Sequence, residues 1–209
     1  MKCTKVCMSA ALLLLGMLRI PAQEKLDAHQ LWRQGKYRDA ITVCEGELAV
    51  NPHNVDSHVV LIWSLVDNGQ YAEAEQRGNT ARKTVGDDTR IIEALAEAKY
   101  FLSKNNESLE LFQKYISAVP LTASRVGAAY YYMGQIFIRQ QRFQHADIAF
   151  SAAVQIEPQR DRWWTRLGYA REQGSDYELA LEAYDRAISL NPTQTEAVRG
   201  RERCIERIN

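Results

Sequence analysis

The chain has 209 residues and a formal net charge of zero, with 26 basic and 26 acidic side chains. That length suits one domain of ordinary size. The sequence contains no run of basic residues of the kind that tracks phosphates, which argues against a nucleic-acid partner. A hydrophobic content of 46% is that of a folded chain rather than a disordered one.

The N-terminal segment 1–22 has the pattern of an export signal. Two lysines form a positive start, an apolar run follows from Val6 to Leu18, and Ala22 offers a small residue for cleavage. The run is shorter than the roughly 20 residues that a transmembrane helix needs. The sequence therefore predicts a cleaved signal peptide over 1–22 and an exported domain over 23–209, periplasmic or secreted. An uncleaved membrane anchor is the alternative.

A repeated set of landmarks organises the rest of the chain. Small residues recur at spacings of 34, 34, 38 and 34, at Ala40, Ala74, Ser108, Ala146 and Ala180. An aromatic residue stands three positions before four of them, and Pro or Gly stands twelve positions after all five. A period of this length is typical of stacked helical repeats. The predicted units are 21–54, 55–88, 89–122, 127–160 and 161–194, with an insertion at 123–126 and a C-terminal segment at 195–209.

Each unit is predicted to contain two helices. In the fifth unit, apolar residues at steps of three and four predict a helix from about Tyr177 to Leu190, which Pro192 ends. No unit shows sustained alternation of period two, so the fold class is all-α. The segment 195–209 has one narrow apolar stripe among charged residues, which is typical of a capping helix.

These landmarks resemble the tetratricopeptide repeat, a helix-turn-helix unit of about 34 residues. The fifth unit carries Trp164, Leu167, Gly168, Ala180, Tyr184, Ala187 and Pro192. The fourth carries Tyr130, Met133, Gly134, Phe137, Ala146, Phe150, Ala153 and Pro158. The fifth unit departs from the pattern at Arg171, where the family usually has Tyr, and the third has Lys99 at a key position. The resemblance implies a right-handed α-solenoid of about five repeats plus a C-terminal capping helix.

In this family the first helix of each unit lines the concave inner surface, so the resemblance implies a binding groove with one aromatic ring per unit. Its predicted residues are His29, Trp32, Val59, Trp63, Tyr100, Tyr131, Gln135 and Tyr169. Aromatic rings supply a large contact area at a low entropic cost. The alternative interpretation is that some of these rings fill the space between neighbouring repeats. Repeats that clamp carboxylates use Lys and Asn at such places, whereas this chain has Glu93 and Glu97.

The sequence contains no recognisable nucleophile–base set, metal motif or phosphate loop. It therefore predicts no catalytic residue, cofactor or metal. The predicted function is a non-enzymatic scaffold that binds a peptide or protein segment in the groove, outside the cytoplasm. Membrane contact is expected only through an uncleaved signal. The alternatives are a structural protein that forms homo-oligomers, with Tyr132 and Trp163 as a possible contact patch, and a carrier of a small apolar ligand.

Overall fold

The computed structural model describes residues 27–209, so the predicted signal peptide over 1–22 and the start of the first unit lie outside the described residues. Within 27–209 the chain forms eleven α-helices and no β-strand, which confirms the all-α prediction. In chain order they are α1 Ala28–Arg33, α2 Tyr37–Val50, α3 Val55–Asp67, α4 Tyr71–Val85, α5 Thr89–Phe101, α6 Asn105–Ala118, α7 Val126–Arg139, α8 Phe143–Ile156, α9 Asp161–Gln173, α10 Tyr177–Leu190 and α11 Thr195–Ile208.

The helices form five consecutive pairs followed by α11. The first helix of each pair contacts the first helix of the next pair, from α1 through α3, α5, α7 and α9 to α11. Each second helix packs mainly against the first helix of its own pair and that of the next pair. We call the first helices the first-helix layer and the side of that layer turned away from the second helices the first-helix face. The right-handed sense of the solenoid remains a prediction.

The recurring small residues lie where the helices pack most closely. Ala40, Ala74, Ser108, Ala146 and Ala180 all have 0% exposure. Ser108, the polar member of the series, donates its hydroxyl proton to the carbonyl oxygen of Ala96 at 2.7 Å, so its burial leaves no polar group unpaired. Small side chains at these positions let neighbouring helix axes approach each other.

Two glycines of the first helices accommodate aromatic rings of the second helices. A Cβ atom added at Gly134 would lie 2.7 Å from the ring of Phe150, and one at Gly168 would lie 2.8 Å from the ring of Tyr184. Phe150 and Tyr184 are themselves almost completely buried. The glycines therefore allow each ring to fill the interior of its own pair.

The turn within each pair uses a residue with left-handed backbone conformation. These residues are Gly35, Gly69, Ser103, Gln141 and Ser175, with φ of 74°, 79°, 59°, 57° and 67°. They follow the same spacing as the small residues, although only two of them are glycine. The backbone geometry of the turn is thus repeated even where the sequence does not favour it.

The helix α11 packs against the last helix pair. Its Ala197 and Cys204 are fully buried and belong to one apolar cluster with Tyr184 of α10. Its remaining surface is rich in Arg and Glu, so the helix covers the apolar side of the last pair and presents a hydrated exterior. None of the helices within residues 27–209 combines the length and the apolar character needed to cross a bilayer.

Candidate functional site

The N-terminal part of the first-helix face carries a stack of side chains. The rings of His29 and Trp32 lie 5.6 Å apart, and those of Trp32 and Trp63 lie 5.1 Å apart. The guanidinium of Arg125 lies 5.0 Å from the ring of Trp63 on the same line of contacts. Three of the predicted groove residues are therefore brought together, and a cation that was not predicted contacts the last of them.

Both indole N–H groups of this stack are occupied. Trp32 Nε1 donates to Asp67 Oδ2 at 2.6 Å, and Trp63 Nε1 donates to Glu93 Oε2 at 3.0 Å. Each bond crosses from one first helix to the next, from α1 to α3 and from α3 to α5. Because Trp63 contacts both Trp32 and Arg125, its ring also holds neighbouring repeats together. Trp32 and Trp63 therefore also pack between neighbouring repeats, as the alternative interpretation of the rings expected.

A buried cluster of charges lies beneath the stack. Glu93 and Glu97 are 1% and 5% exposed. Arg125 Nε donates to Glu93 Oε1 at 2.6 Å, a second nitrogen of the same guanidinium donates to Glu97, and the Tyr132 hydroxyl also donates to Glu97. The family resemblance implies that both glutamates face an open groove, but the structure buries them because Arg125 and Tyr132 cover them.

This cluster contains two carboxyl groups, Glu93 and Glu97, but only one guanidinium to pair with them. Burial raises the pKa of the Glu97 carboxyl to about 7, although the charge of Arg125 opposes the shift. The carboxylates of Glu93 and Asp67 raise it further. Burial alone would lower the pKa of Arg125, but the two glutamates raise it above its ordinary value, so the guanidinium stays charged. Burial beside Glu97 likewise raises the pKa of the Tyr132 hydroxyl.

The C-terminal part of the first-helix face is held together by polar contacts. Gln135 donates to the hydroxyl of Tyr131 at 2.6 Å, and Arg166 donates to Gln135 at 2.8 Å. The same guanidinium lies 5.1 Å from the ring of Tyr169. Tyr131 also stacks on Trp163 at 5.2 Å. Tyr131, Gln135 and Tyr169 are therefore one connected set, and all three are half-buried.

Two of the predicted groove residues contribute packing rather than open surface. Tyr100 is 9% exposed, beneath the guanidinium of Arg139 at 4.0 Å and beside the ring of Tyr132 at 4.7 Å. Val59 is 2% exposed and lies at the base of a pocket. Among the eight, His29 is exposed, whereas Trp32 and Trp63 are half-buried.

That pocket is a concavity on the N-terminal part of the face. It has a volume of about 370 Å³ and lies over α3, between α1 and α5. Its lining residues are Asp27, His29, Asp56, Val59, Val60, Trp63 and Arg90. Arg90 is bonded to Asp56 at 2.6 Å, so the polar residues at its rim are already partly organised.

Sequence reasoning did not identify Arg125, Asp67 or Arg166 as members of the site. Arg125 belongs to the predicted insertion, most of which forms the connection between α6 and α7. The interruption of the period is a signal that could have drawn attention to it. Tyr132 and Trp163, the possible contact patch for self-association, are half-buried and pack against the apolar core. No group of three His, Cys, Asp or Glu side chains able to hold a metal ion occurs in residues 27–209.

Stacked helix pairs with a common set of landmarks define a protein of the helical-repeat class. Models of the tetratricopeptide repeat match residues 31–98, 127–160 and 162–194. The chain therefore belongs to the tetratricopeptide-repeat family, whose members are generally non-catalytic scaffolds.

The relatives found by sequence comparison are longer than this chain. Anaphase-promoting complex subunit 3 of Schizosaccharomyces pombe is 35% identical over 161 residues, which cover 77% of this chain and 24% of that protein. The peroxisomal targeting signal receptor of Candida albicans is 26% identical over 157 residues, which cover 73% of this chain and 26% of that protein. Protein O-mannosyl-transferase TMTC1 of Homo sapiens is 24% identical over 77% of this chain and 18% of its own length. The chain thus spans less than a third of these relatives.

Solved structures share the fold. YrrB, described as a TPR protein with an unusual peptide-binding site, superimposes with a TM-score of 0.65 at 16% identity, covering 84% of this chain and 88% of that chain. MamA superimposes with a TM-score of 0.65 at 18% identity, covering 82% of this chain and 98% of that chain. At these identities the likeness shows the fold alone.

Proposed function

We propose that this protein is a non-enzymatic interaction scaffold that binds a peptide or protein segment along the first-helix face, outside the cytoplasm. The proposal rests mainly on one observation. Aromatic and amide side chains of successive first helices contact each other, either directly or through one cation that lies between them. His29, Trp32 and Trp63 form one such set, and Tyr131, Gln135 and Tyr169 form another. A face built in this way offers a preorganised surface to an extended ligand.

The relatives support the kind of ligand. The Candida albicans relative is by name a receptor for a targeting signal, and YrrB is described as having a peptide-binding site. YrrB is described as a TPR protein, and the ligands that the two names give are a targeting signal and a peptide. The same use of the fold by this chain is our proposal, because one repeat fold serves many partners.

We also propose export, on the basis of the positive start and the apolar run from Val6 to Leu18 in the N-terminal segment. The mature protein, purified from its native cells, is expected to begin at Gln23. An N-terminus at Met1 in the purified protein would contradict cleavage.

Co-purification from native cell extracts tests the scaffold function. The first-helix-face variant is His29→Ala with Tyr169→Ala, and the matched control is Val50→Ala with Ile148→Ala. The control residues are 88% and 71% exposed and lie on second helices. We expect a partner to be retained by the native protein and the control and lost by the first-helix-face variant. Thermal unfolding must show that both variants are folded, and equal retention by both would contradict the proposal.

A further inference from the structure

The pocket over α3 has an apolar base. Val59 and Val60 are buried, and Trp63 is half-buried between Trp32 and Arg125. At the positions that correspond to Val59 and Trp63, the third pair has Glu93 and Glu97, the fourth Tyr131 and Gln135, the fifth Thr165 and Tyr169, and α11 Arg199 and Arg203. The aliphatic base is thus particular to the second pair and is not a general consequence of the repeat.

The walls of the pocket are acidic. Asp27 stands on the α1 side, where its carboxylate accepts bonds from the backbone amides of His29 and Gln30. Asp56 stands on α3 with a side chain that is 79% exposed. No cationic side chain within residues 27–209 pairs with Asp27.

The one cation at the rim is shared between two carboxylates. Arg90 lies 2.6 Å from Asp56 and 3.3 Å from Asp88. Asp88 itself lies outside the lining, so the pocket is lined by two carboxylates, those of Asp27 and Asp56, and one guanidinium. Glu93, which accepts a hydrogen bond from Trp63 at the base, is paired with Arg125, so this pair adds no net charge beneath the pocket. The lining of the pocket therefore carries one more carboxylate than guanidinium, which favours a cationic occupant.

These features discriminate between possible occupants. An acidic side chain would be repelled by the walls. A purely apolar side chain would fill the base but would remove water from the wall carboxylates without giving them a partner. A side chain with an aliphatic stem and a cationic head satisfies both parts, because Lys and Arg bury their stems while keeping their charge at a polar rim.

We propose that the pocket over α3 binds a Lys or Arg side chain from an extended segment of the partner protein. The aliphatic stem lies on Val59, Val60 and Trp63, and the cationic head lies between Asp27 and Asp56. This assignment rests on the proposed scaffold function and specifies what the N-terminal part of the first-helix face recognises. The volume of about 370 Å³ falls at the lower end of the range for small ligand sites, which suits one long side chain.

The test uses defined peptides and the purified protein. The probe is an acetylated and amidated peptide of alternating Ser and Lys, which presents Lys side chains from an extended segment. In two reference peptides, norleucine or Glu replaces every Lys. Norleucine keeps the stem and removes the charge, so the comparison separates the two contributions. Calorimetric titration at low ionic strength gives the three affinities, since salt screens exposed charges.

The pocket variant is Asp27→Asn with Asp56→Asn. Asn is a good N-cap residue, so the cap of α1 is preserved. The control variant is Asp39→Asn with Asp185→Asn, which removes the same charge from exposed positions on the second helices. We expect the native protein and the control to bind the Lys peptide about tenfold more tightly than either reference peptide, and the pocket variant to lose that preference.

Two results would overturn the assignment: equal affinity of the native protein for the Lys and norleucine peptides, or equal Lys preference in the pocket and control variants. The scaffold function is distinguished by its own experiment. A partner that is lost on His29→Ala with Tyr169→Ala but is retained by the pocket variant leaves the scaffold in place and removes only the cationic subsite.

Discussion

The ammonium of Lys99 lies 2.7 Å from a carboxylate oxygen of Glu75, across the boundary between the second and third helix pairs. Arg171 and Asp147 form the equivalent pair at 2.8 Å across the boundary between the fourth and fifth pairs. Both cations follow their acids by 24 residues. At Arg171 the family usually has Tyr, so an ion pair with the preceding second helix replaces an aromatic contact.

Removing Lys99 tests the contribution of this pair. Lys99→Met keeps most of the side-chain volume but leaves the nearly buried Glu75 with Lys104 as its remaining cationic partner. We expect the free energy of unfolding to fall by about 1–3 kcal/mol, because an acid loses part of its compensation in a poorly hydrated site. Urea unfolding measures this decrease in the free energy of unfolding. The control Arg77→Met breaks exposed pairs with Glu45 and Glu73 and should cost less than about 1 kcal/mol.

Arg125 holds the junction at the insertion. Arg125→Met would leave Glu93 and Glu97 buried without their guanidinium, and we expect a loss of about 3–5 kcal/mol in the free energy of unfolding. Arg160→Met is the matched control, since Arg160 also pairs with a glutamate and lies over a tryptophan ring, but with a side chain that is 62% exposed. Equal midpoints of urea unfolding for the two variants would contradict the structural role of Arg125.

The pH dependence of stability follows from Glu97. Its pKa is about 7 in the folded protein against an ordinary value of 4.5, so the folded state holds more protons between these values. The free energy of unfolding contributed by this group therefore falls as pH rises from about 4.5 to 7, and levels off above. The facing charged or titratable groups are Glu93, Asp67, Arg125 and Tyr132.

Glu97→Gln isolates that contribution. We expect the difference in unfolding free energy between the variant and the native protein to change across pH 5 to 8 by on the order of 1–3 kcal/mol, in favour of the variant at the higher pH. Burial would raise the pKa of the Glu75 carboxyl, but hydrogen bonds from Lys104 and Lys99 lower it below its ordinary value, and this effect is the same in both proteins. A difference that is constant with pH would contradict the raised pKa.

Substitutions at two of the left-handed turn residues are expected to change the free energy of unfolding in opposite directions. Gln141 has φ of 57°, so Gln141→Gly should relieve backbone strain and raise the free energy of unfolding by about 0.5–1 kcal/mol. Gly35 has φ of 74° and open space around an added Cβ, so Gly35→Ala should cost about 1 kcal/mol through the backbone alone. Thermal unfolding of both variants measures the shifts, and shifts of the same sign would contradict this explanation.

The periodic part of the fold could be predicted from sequence because its determinants are local. A small residue every 34 positions, an aromatic residue before it and a helix-ending Pro after it are each readable from one short segment.

The contacts of the candidate site could not be predicted in the same way. The burial of Glu93 and Glu97 depends on Arg125, which lies in the insertion, 28 or more positions away along the chain. Likewise, nothing in the sequence around Asp67 indicates that its carboxylate accepts a hydrogen bond from the indole of Trp32, 35 positions earlier. Such pairs depend on tertiary geometry, which no single segment encodes.

Site-specific photo-cross-linking in the native cells tests the central claim most directly. A benzophenone amino acid replaces His29 or Tyr169 on the first-helix face, and Val50 or Ile148 on the second helices. We predict a protein adduct from His29 and from Tyr169, and none from Val50 or Ile148. Adducts from the second-helix positions alone would contradict the claim that this protein binds its partner along the first-helix face.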